Sequence, residues 1–354
     1  MIYDIGIIGA GPAGSTFARI LAEIRPDLKI ILLDGQIKRS TKPCGGLLSP
    51  DAQKVLASFD LSLPKSVLVE PQIFSVKTID LVQNLERDYF RLYLNMDRYE
   101  FDQWLISLVP QSVDYVKAKC LKIVQIGSNF ELSIKHGSEL SKVICKQLVG
   151  AEGANSIVRK SFFDNKIDYY LAIQQWFTNP EKKKPIYYCI FDSQTSKACS
   201  WLMHKDDHLI YGGAFSPQHS RENFEKQKRR FCKSQNYILG EPIKTEACQV
   251  MKPKGWRDFV LGKPGVYLIG EAAGLISASS FEGFSYAFES GLKLAEAFQI
   301  GTNADQIFKT YKKKMRVLRF KLLGKMIKRD FLYTAWTRKI IMKSGVQSIN
   351  KIKL

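Results

Sequence analysis

Histidine is scarce in this sequence: only four occur among 354 residues. The seven cysteines are scattered along the chain, and no CxxC pair occurs. Zinc sites are built from closely spaced cysteine and histidine ligands, and because that spacing is missing we predict no metal site. An odd, scattered set of cysteines is typical of a reducing compartment, where most of them act as small apolar residues.

Long apolar runs are missing as well. No stretch of 18 apolar residues occurs, so no transmembrane helix is predicted. The first residues, MIYDIGIIGAG, lack the basic start and small-residue cleavage site of a secretory signal. Hydrophobic residues nevertheless make up 45% of the chain, which is enough for a sizeable core. We therefore expect a folded cytoplasmic protein of one large domain or two ordinary ones.

A glycine-rich turn, GAGPAG, joins the first predicted strand, residues 3–8, to the first predicted helix. A second apolar strand, residues 29–34, ends in an acidic residue 20 positions after the last glycine of the turn. Strand, G-x-G-x-x-G turn, helix, strand and acid in this order predict a dinucleotide-binding unit. The residues of this unit that we expect at the cofactor are Gly9, Gly11, Pro12, Ala13, Gly14 and Asp34.

Each of these positions has a physical task. Gly9 allows the tight turn, Gly11 lets the backbone approach a pyrophosphate, and Gly14 lets the helix pack on the strand. The helix N-terminus attracts the phosphate charge. Asp34 accepts a hydrogen bond from a ribose hydroxyl, and its negative charge argues against a 2′-phosphate. FAD or NAD is therefore favoured over NADP.

Two later stretches favour FAD over NAD. They are KQLVGAEGANSIVRKSF at 146–162 and GVYLIGEAAGLISASSFEGFSYAFESG at 265–291. Both place small residues where the backbone has to approach a flat, bulky ligand. A simple NAD dehydrogenase has no need of a second dinucleotide-contacting loop so far along the chain, whereas a flavin with its ribityl chain does. The additional cofactor contacts predicted here are Glu152, Gly270, Glu271, Gly274 and Gly283.

Four motifs in order, GAGPAG, DRYEFDQWL, GAEGANSIVR and GEAAGLISASSFEG, resemble the FAD-dependent group built like aromatic hydroxylases. Within it, KPCGG and SWLMHK are most similar to the geranylgeranyl reductase family, especially its bacterial CbrA-type branch. The resemblance covers about residues 3–345. It implies an α/β fold in which a Rossmann-like FAD-binding domain carries an inserted antiparallel β-sheet substrate domain and a C-terminal helical segment.

The resemblance also implies domain bounds and roles for single residues. Arg98 would contact the flavin side of FAD, although a surface arginine at a helix start is the alternative. Glu271 would bind the ribityl chain. Glu152 would contact the cofactor or support the turn before Arg159, and both glutamates stand where many relatives carry Asp. The expected domains are FAD-binding at 1–70, 95–168 and 256–300, substrate at 71–94 and 169–255, and a basic helical segment at 301–354.

The predicted substrate domain is rich in aromatic residues on alternating strands. Together they indicate an apolar wall opposite the flavin, which favours a lipid-like substrate over a sugar or an amino acid. Ordinary sheet core is the alternative for each of them taken singly. The predicted pocket residues are Trp176, Tyr187, Phe191, Trp201 and Tyr211.

Cys44, in KPCGG, has three interpretations. It fills space in a loop whose glycines matter more, it positions or protonates the substrate carbon opposite the hydride, or it is a reactive thiolate. Gly45 and Gly46 would let the backbone lie against the isoalloxazine or the pyrophosphate. The family resemblance favours the second interpretation and makes Cys44 the candidate catalytic residue as well as a cofactor contact.

The sequence carries one G-x-G-x-x-G and no separate NAD(P)H domain, so an external donor, NAD(P)H or a small redox protein, has to reduce the flavin. The leading hypothesis is hydride transfer from reduced FAD to an isolated C=C bond of a polyprenyl lipid. The alternatives are a flavin monooxygenase acting on an apolar aromatic and a non-catalytic flavin-bearing binding or resistance protein. A halogenase is disfavoured because no WxWxIP stretch is present.

Positive charge is concentrated at the end of the chain. The net charge is +19, and residues 309–354 hold 15 Lys and Arg against one acid, Asp330. No nucleic-acid-binding module accompanies this charge. We predict helices over 309–345 that seat the protein on an anionic membrane surface, the inner face in a cell. The alternative is that their apolar stripe packs on the body of the protein, the stripe being Val317, Leu318, Leu322, Leu323, Met326, Ile327, Phe331 and Leu332.

Overall fold

A computed structural model describes residues 2–36, 43–178 and 184–349. Its strands are β1 Ile2–Ile8, β2 Ile30–Leu33, β3 Leu47–Leu48, β4 Ile73–Asp80, β5 Leu85–Asn95, β6 Val113–Val116, β7 Lys119–Ile126, β8 Asn129–His136, β9 Glu139–Gly150, β10 Tyr169–Thr178, β11 Ile186–Phe191, β12 Ser200–Lys205, β13 His208–Phe215, β14 Lys244–Met251, β15 Gly262–Lys263 and β16 Val266–Leu268. Its helices are α1 Pro12–Ile24, α2 Pro50–Ser58, α3 Arg98–Ser107, α4 Ile157–Phe162, α5 Ser220–Gln235, α6 Phe284–Ile300, α7 Ala304–Lys314, α8 Arg316–Tyr333 and α9 Ala335–Lys343.

The first sheet has the strand order β15-β16-β9-β1-β2-β6, and β7 and β8 extend it as a ribbon from β9. Within this sheet, β16, β9, β1, β2 and β6 run parallel to one another, whereas β15 and β8 pair antiparallel with β16 and β9. Ile8 is in register with both Leu33 and Gly150, and Leu268 is in register with Gly150. The carboxyl ends of these strands therefore meet at one edge, where ligands bind in open α/β sheets.

The second sheet has the order β14-β10-β13-β12-β11-β4-β5-β3. Its neighbours are antiparallel except β4 and β11, which pair in parallel because the intervening chain crosses to the first sheet and returns. On one face it packs against α5, where Tyr211 and Phe215 lie with Phe224 and Phe231 in a buried cluster. The predicted fold class, an α/β unit with an inserted, mainly antiparallel sheet, is confirmed, whereas the exact domain bounds stay a prediction.

The basic C-terminal segment forms α7, α8 and α9 as far as Lys343. Leu318, Leu322 and Met326 are buried against the first sheet's core, so this part of the predicted stripe packs on the protein itself. Among the described helices, none is both long enough and apolar enough to cross a membrane.

Candidate functional site

Residues from both sheets line one cavity of about 940 Å³. Its walls include the GAGPAG turn, Asp34, the Cys44 loop, and the strands β5, β11 and β12 of the second sheet. This volume lies at the upper end of the range found for pockets that hold cofactors and small molecules. Most of the predicted cofactor residues and two of the five predicted substrate residues thus line a single cavity; Gly14, Gly270 and Gly274 do not line it.

The three glycines of the turn have different surroundings. Gly9 has a φ of +102°, and a Cβ there would lie 2.7 Å from the backbone of Ala151. A Cβ at Gly14 would lie 1.8 Å from the Gly9 carbonyl oxygen, so both glycines are required by packing. A Cβ at Gly11 would meet nothing within 4 Å, yet Gly11 lines the cavity. The open space at Gly11 is the cradle that a pyrophosphate needs.

Helix α1 begins at this turn with Pro12 in its first position and no side-chain cap. Its first backbone N–H groups are therefore left for a ligand, and the helix dipole favours a negative charge there. Pro12 and Ala13 line the cavity beside Gly11. The residues present fit the diphosphate of a dinucleotide.

Asp34 is buried at the end of β2 and lines the cavity. Tyr115 donates a hydrogen bond from its hydroxyl to Oδ2 at 2.8 Å, and the Gln36 backbone N–H donates to Oδ1 at 2.9 Å. Burial, together with the bond to Asp34, raises the pKa of Tyr115, so the phenol stays a donor. Both carboxylate oxygens are thereby oriented, as recognition of a ribose hydroxyl requires.

Glu152 lines the cavity at the end of β9. Ser156 donates to its Oε2 at 2.7 Å and the Val158 N–H to its Oε1 at 3.2 Å. Burial raises the pKa of Glu152. Arg159, which follows this turn, donates to the carbonyl oxygen of Ala272 at 3.0 Å. Glu152 therefore holds the turn before Arg159, and that turn is tied to the 270–274 loop.

Glu271 lines the cavity, and its Oε1 accepts a hydrogen bond from the Met251 N–H at 3.0 Å. Its neighbours Gly270 and Gly274 shape the loop, since both have positive φ. A Cβ at Gly274 would lie 2.5 Å from the Asp258 carbonyl oxygen. Gly283, at the start of α6, lines the cavity.

Arg98 also lines the cavity, largely buried rather than on the surface. Its Nε donates to both carboxylate oxygens of Asp102 at 3.0 Å, and its guanidinium lies 4.9 Å from the Phe284 ring centroid. Burial lowers the pKa of Arg98, but Asp102 and Cys44 outweigh that effect and raise it. Arg98 is thus a fixed cation beside Cys44.

Cys44 lines the cavity, and its Sγ accepts a hydrogen bond from the Gly46 N–H at 3.3 Å. The Lys205 ammonium also holds this loop. It donates to Asn95 Oδ1 at 2.7 Å, the Met96 carbonyl oxygen at 2.6 Å and the Gly46 carbonyl oxygen at 3.3 Å. Burial lowers the pKa of Lys205 to about 8, although the nearby Cys44 opposes the shift. Cys44 therefore lies near two cations, Arg98 and Lys205. Lys42, the first residue of KPCGG, is outside the described residues.

Comparison with known proteins shows which family this chain belongs to. No protein-family model matches it. Protein CbrA from Escherichia coli is 41% identical over 357 residues, covering 99% of this chain and 99% of that protein, and Protein CbrA from Shigella sonnei matches equally well. The chain belongs to the CbrA family. The predicted resemblance to the CbrA-type branch is confirmed.

Solved structures show the fold of this CbrA-family chain. A geranylgeranyl bacteriochlorophyll reductase-like protein from Thermoplasma acidophilum superimposes with a TM-score of 0.83 at 20% identity, covering 99% of this chain and 92% of that one. A flavin-dependent brominase superimposes with a TM-score of 0.69 at 17% identity, covering 97% and 93%. At these identities the likeness establishes an α/β flavoprotein fold and no substrate.

Two of the five predicted pocket aromatics of this CbrA-family chain, Tyr187 and Trp201, line the cavity. A Cβ at Gly212, on the neighbouring strand, would lie 2.5 Å from the Trp201 ring, so that glycine makes room for the indole. Tyr89 and Tyr93 of β5 line the cavity as well, and the Tyr93 and Tyr187 rings are 5.9 Å apart.

The other three predicted pocket aromatics lie elsewhere. Tyr211 is in the cluster under α5. Phe191 is buried against the ring of Tyr333 at 5.4 Å. Trp176 donates from its indole N–H to Glu246 at 2.9 Å. These three aromatic residues therefore belong to the packing around the sheet and not to the cavity, as the alternative interpretation has it.

Sequence reasoning missed Lys205 and Tyr115 as parts of the site. The available signal for Lys205 was its place at the end of SWLMHK, since a lysine closing an apolar strand needs buried partners. Tyr115 lies in the short strand β6, which pairs with β2 just before Asp34, and no local signal connects the two residues.

Proposed function

We propose that this protein is an FAD-dependent oxidoreductase that reduces isolated C=C bonds of a polyprenyl or other isoprenoid lipid. One observation carries the proposal: the phosphate cradle at Gly11, the Cys44 loop and an apolar wall line the same cavity. The wall residues that continue beyond Cys44 are Ala172, Tyr187, Trp201, Met203, Ala214 and Val250. When bound, reduced FAD supplies a hydride to the substrate. An apolar chain fits such a wall because it has no polar groups left without partners.

The contacts around Cys44 support a role as the proton donor. As a hydride adds to one carbon of the double bond, the Cys44 thiol gives its proton to the other carbon, and the bond becomes saturated. The Gly46 N–H, which donates to Cys44 Sγ at 3.3 Å, holds the sulfur in place during this step. Solvent then returns the proton to Cys44.

The electrons come from outside the chain, from NAD(P)H or a small redox protein, because the sequence carries one dinucleotide-binding motif. Asp34 and the α1 N-terminus would hold the ADP half of FAD, and Glu271 would hold the ribityl chain. Arg98, which lines the cavity near Cys44, would contact the flavin side of the cofactor.

Anaerobic single-turnover kinetics test the proposal. The protein is loaded with FAD, reduced, and mixed with an unsaturated polyprenol while the flavin absorbance is followed. We expect substrate-dependent reoxidation and a product heavier by two hydrogens for each bond reduced. Reoxidation that requires oxygen, with an oxygenated product from an apolar aromatic, would establish the monooxygenase alternative. Bound FAD with neither reaction would leave a non-catalytic flavin-binding protein.

A further inference from the structure

Helix α8 carries apolar residues on two opposite faces. Leu318, Leu322 and Met326 face the core. A second set, spaced three, seven and four residues apart, is more than half exposed and consists of Val317, Phe320, Ile327 and Phe331. At roughly 100° per residue this set occupies an arc of about 80° opposite the buried stripe. The outer stripe is therefore a separate surface and not the edge of the core.

Helix α9 extends this surface beyond Thr334. Trp336 is 70% exposed, and Ile340, one turn later, is more than half exposed. The helix is nevertheless held firmly: Arg338 Nε donates to Asp80 Oδ2 at 2.8 Å in a buried ion pair, and Gln83 Nε2 donates to the Ala335 carbonyl oxygen at 2.8 Å. The exposed indole is thus displayed by an anchored helix.

Exposed cations accompany the outer stripe along both helices. They are Arg316, Lys321, Lys328, Lys339 and Lys343. We call these cations and the exposed apolar side chains of both helices the basic apolar face. Its apolar members are Val317, Phe320, Ile327, Phe331, Trp336 and Ile340. The acid of this segment, Asp330, is paired with Arg329 at 2.8 Å. Apolar side chains flanked by long cationic ones are the pattern of helices that lie in the headgroup region of a membrane.

We propose that the basic apolar face docks on an anionic lipid bilayer. A second copy of the chain fits it poorly, because two such faces would bring like charges together. Anionic headgroups complement the lysines, while the indole and phenyl rings enter the boundary with the acyl chains. The inference does not depend on the proposed reaction. Lys325, Lys328 and Leu332 of α8 also line the cavity, so docking brings the bilayer against a helix that forms part of the cavity wall.

Vesicle flotation with the full-length, FAD-loaded protein tests this surface. Vesicles of phosphatidylcholine alone are compared with vesicles containing about 30% phosphatidylglycerol, at about 50 mM and about 500 mM salt. We expect flotation with the anionic vesicles at low salt and clearly less at high salt. The double variant Phe331→Ser, Trp336→Ser and the double variant Lys339→Gln, Lys343→Gln should each reduce the floated fraction about five-fold or more.

Matched variants elsewhere serve as controls. Ile238 and Leu140 are also strongly exposed apolar residues, and Lys226 and Lys233 are exposed cations on α5. Ile238→Ser with Leu140→Ser, and Lys226→Gln with Lys233→Gln, should float like wild type, and flavin content checks the fold of every variant. Protein that stays at the bottom in all conditions, or control variants that lose flotation equally, overturns the proposal. If the wild-type protein does not bind vesicles but forms a dimer, and the Phe331→Ser, Trp336→Ser variant is a monomer, the face serves self-association instead.

Discussion

Lys205 donates a hydrogen bond from its ammonium to the carbonyl oxygen of Gly46, 3.3 Å away. This contact fastens the Cys44 loop to strand β12 of the second sheet. The loop also needs glycine at this point, since Gly46 has a φ of +59° and a Cβ there would lie 2.4 Å from the Met96 carbonyl oxygen. The position of Cys44 therefore depends on the sheet that forms the apolar wall as well as on its own loop.

Stability should depend on pH through Lys205. Burial lowers its pKa from 10.5 to about 8, whereas the unfolded chain keeps the proton to about pH 10. Between these values the unfolded state binds more protons, so this residue's contribution makes the free energy of unfolding rise with pH. Relative to Lys205→Met, wild type should gain up to roughly 3 kcal/mol from about pH 8 to about pH 10.5. Urea denaturation at stepped pH measures the difference. If the free energy of unfolding changes with pH in the same way in both proteins, Lys205 does not titrate in this range. Lys226→Met, on the exposed side of α5, is the control.

Cys44→Ser should keep FAD but slow the substrate-dependent reoxidation of the flavin about 100-fold. Serine has nearly the same size, so the loop survives, but a hydroxyl is a far weaker acid than a thiol. Anaerobic stopped-flow absorbance gives the rate. Cys232→Ser, a half-buried cysteine next to the cluster under α5, should react like wild type. A wild-type rate in the Cys44 variant would make Cys44 a filler and leave the loop's function to its glycines.

Gly11→Val should abolish FAD binding without unfolding the protein. A Cβ at this position meets no protein atom within 4 Å, so the added side chain occupies the space of the pyrophosphate instead of clashing with the fold. Absorbance near 450 nm after purification and FAD titration measures the loss, and circular dichroism confirms the fold. Gly240→Val, at another glycine with open surroundings but away from the cavity, should stay yellow. A yellow Gly11 variant contradicts the assigned cradle.

The glycine turn and Asp34 could be predicted from sequence because their geometry is local. A strand, a G-x-G-x-x-G turn and a helix define the cradle within about 25 residues, and parallel pairing then aligns Asp34 with it. Arg98, Glu152, Glu271 and the Cys44 loop line the same cavity, as the family motifs suggested. Their roles toward a ligand stay predictions.

The wall of the cavity was harder to predict, because alternation along a strand tells which residues share a face but not which face looks inward. Trp201 and Tyr211 lie on neighbouring strands, yet Trp201 lines the cavity and Tyr211 packs under α5. The contacts of Lys205 with Asn95 join residues about 110 positions apart, and no local pattern encodes them. Contacts between residues far apart in the sequence determine both the inward-facing side of the strand and the partners of Lys205.

Tyr115→Phe should weaken FAD binding about three- to ten-fold. The substitution removes the hydroxyl that holds Asp34 Oδ2 and leaves the ring in place, a loss typical of one hydrogen bond. Fluorescence titration of the apoprotein with FAD measures the affinity. Tyr3→Phe removes a similar bond, 2.7 Å to Asp114, on an exposed part of β1 and should have no effect. Equal affinities in both variants would mean that Asp34 needs no orientation by Tyr115.

Arg338→Met should destabilise the protein by about 3 kcal/mol at neutral pH. The variant leaves the Asp80 carboxylate buried without its cation, and removing one partner of a buried pair typically costs about 3–5 kcal/mol. We expect the low end, because the N–H groups of Val82 and Gln83 still donate to Asp80 at 3.0 Å. Guanidinium denaturation of the two proteins gives the difference.

The same pair makes the destabilisation depend on pH. Burial raises the pKa of Asp80, but Arg338 and the backbone donors outweigh it and hold the pKa below its ordinary 3.8. Stability from the pair is therefore present above about pH 4 and lost as the pH falls through the folded-state pKa. The deficit of Arg338→Met should shrink as the pH falls, because protonation of Asp80 in the variant removes the unpaired buried charge. Arg329→Met, which breaks the exposed pair with Asp330, should cost about 1 kcal/mol or less. If the two variants lose equal stability at neutral pH, the Asp80 pair does not anchor α9.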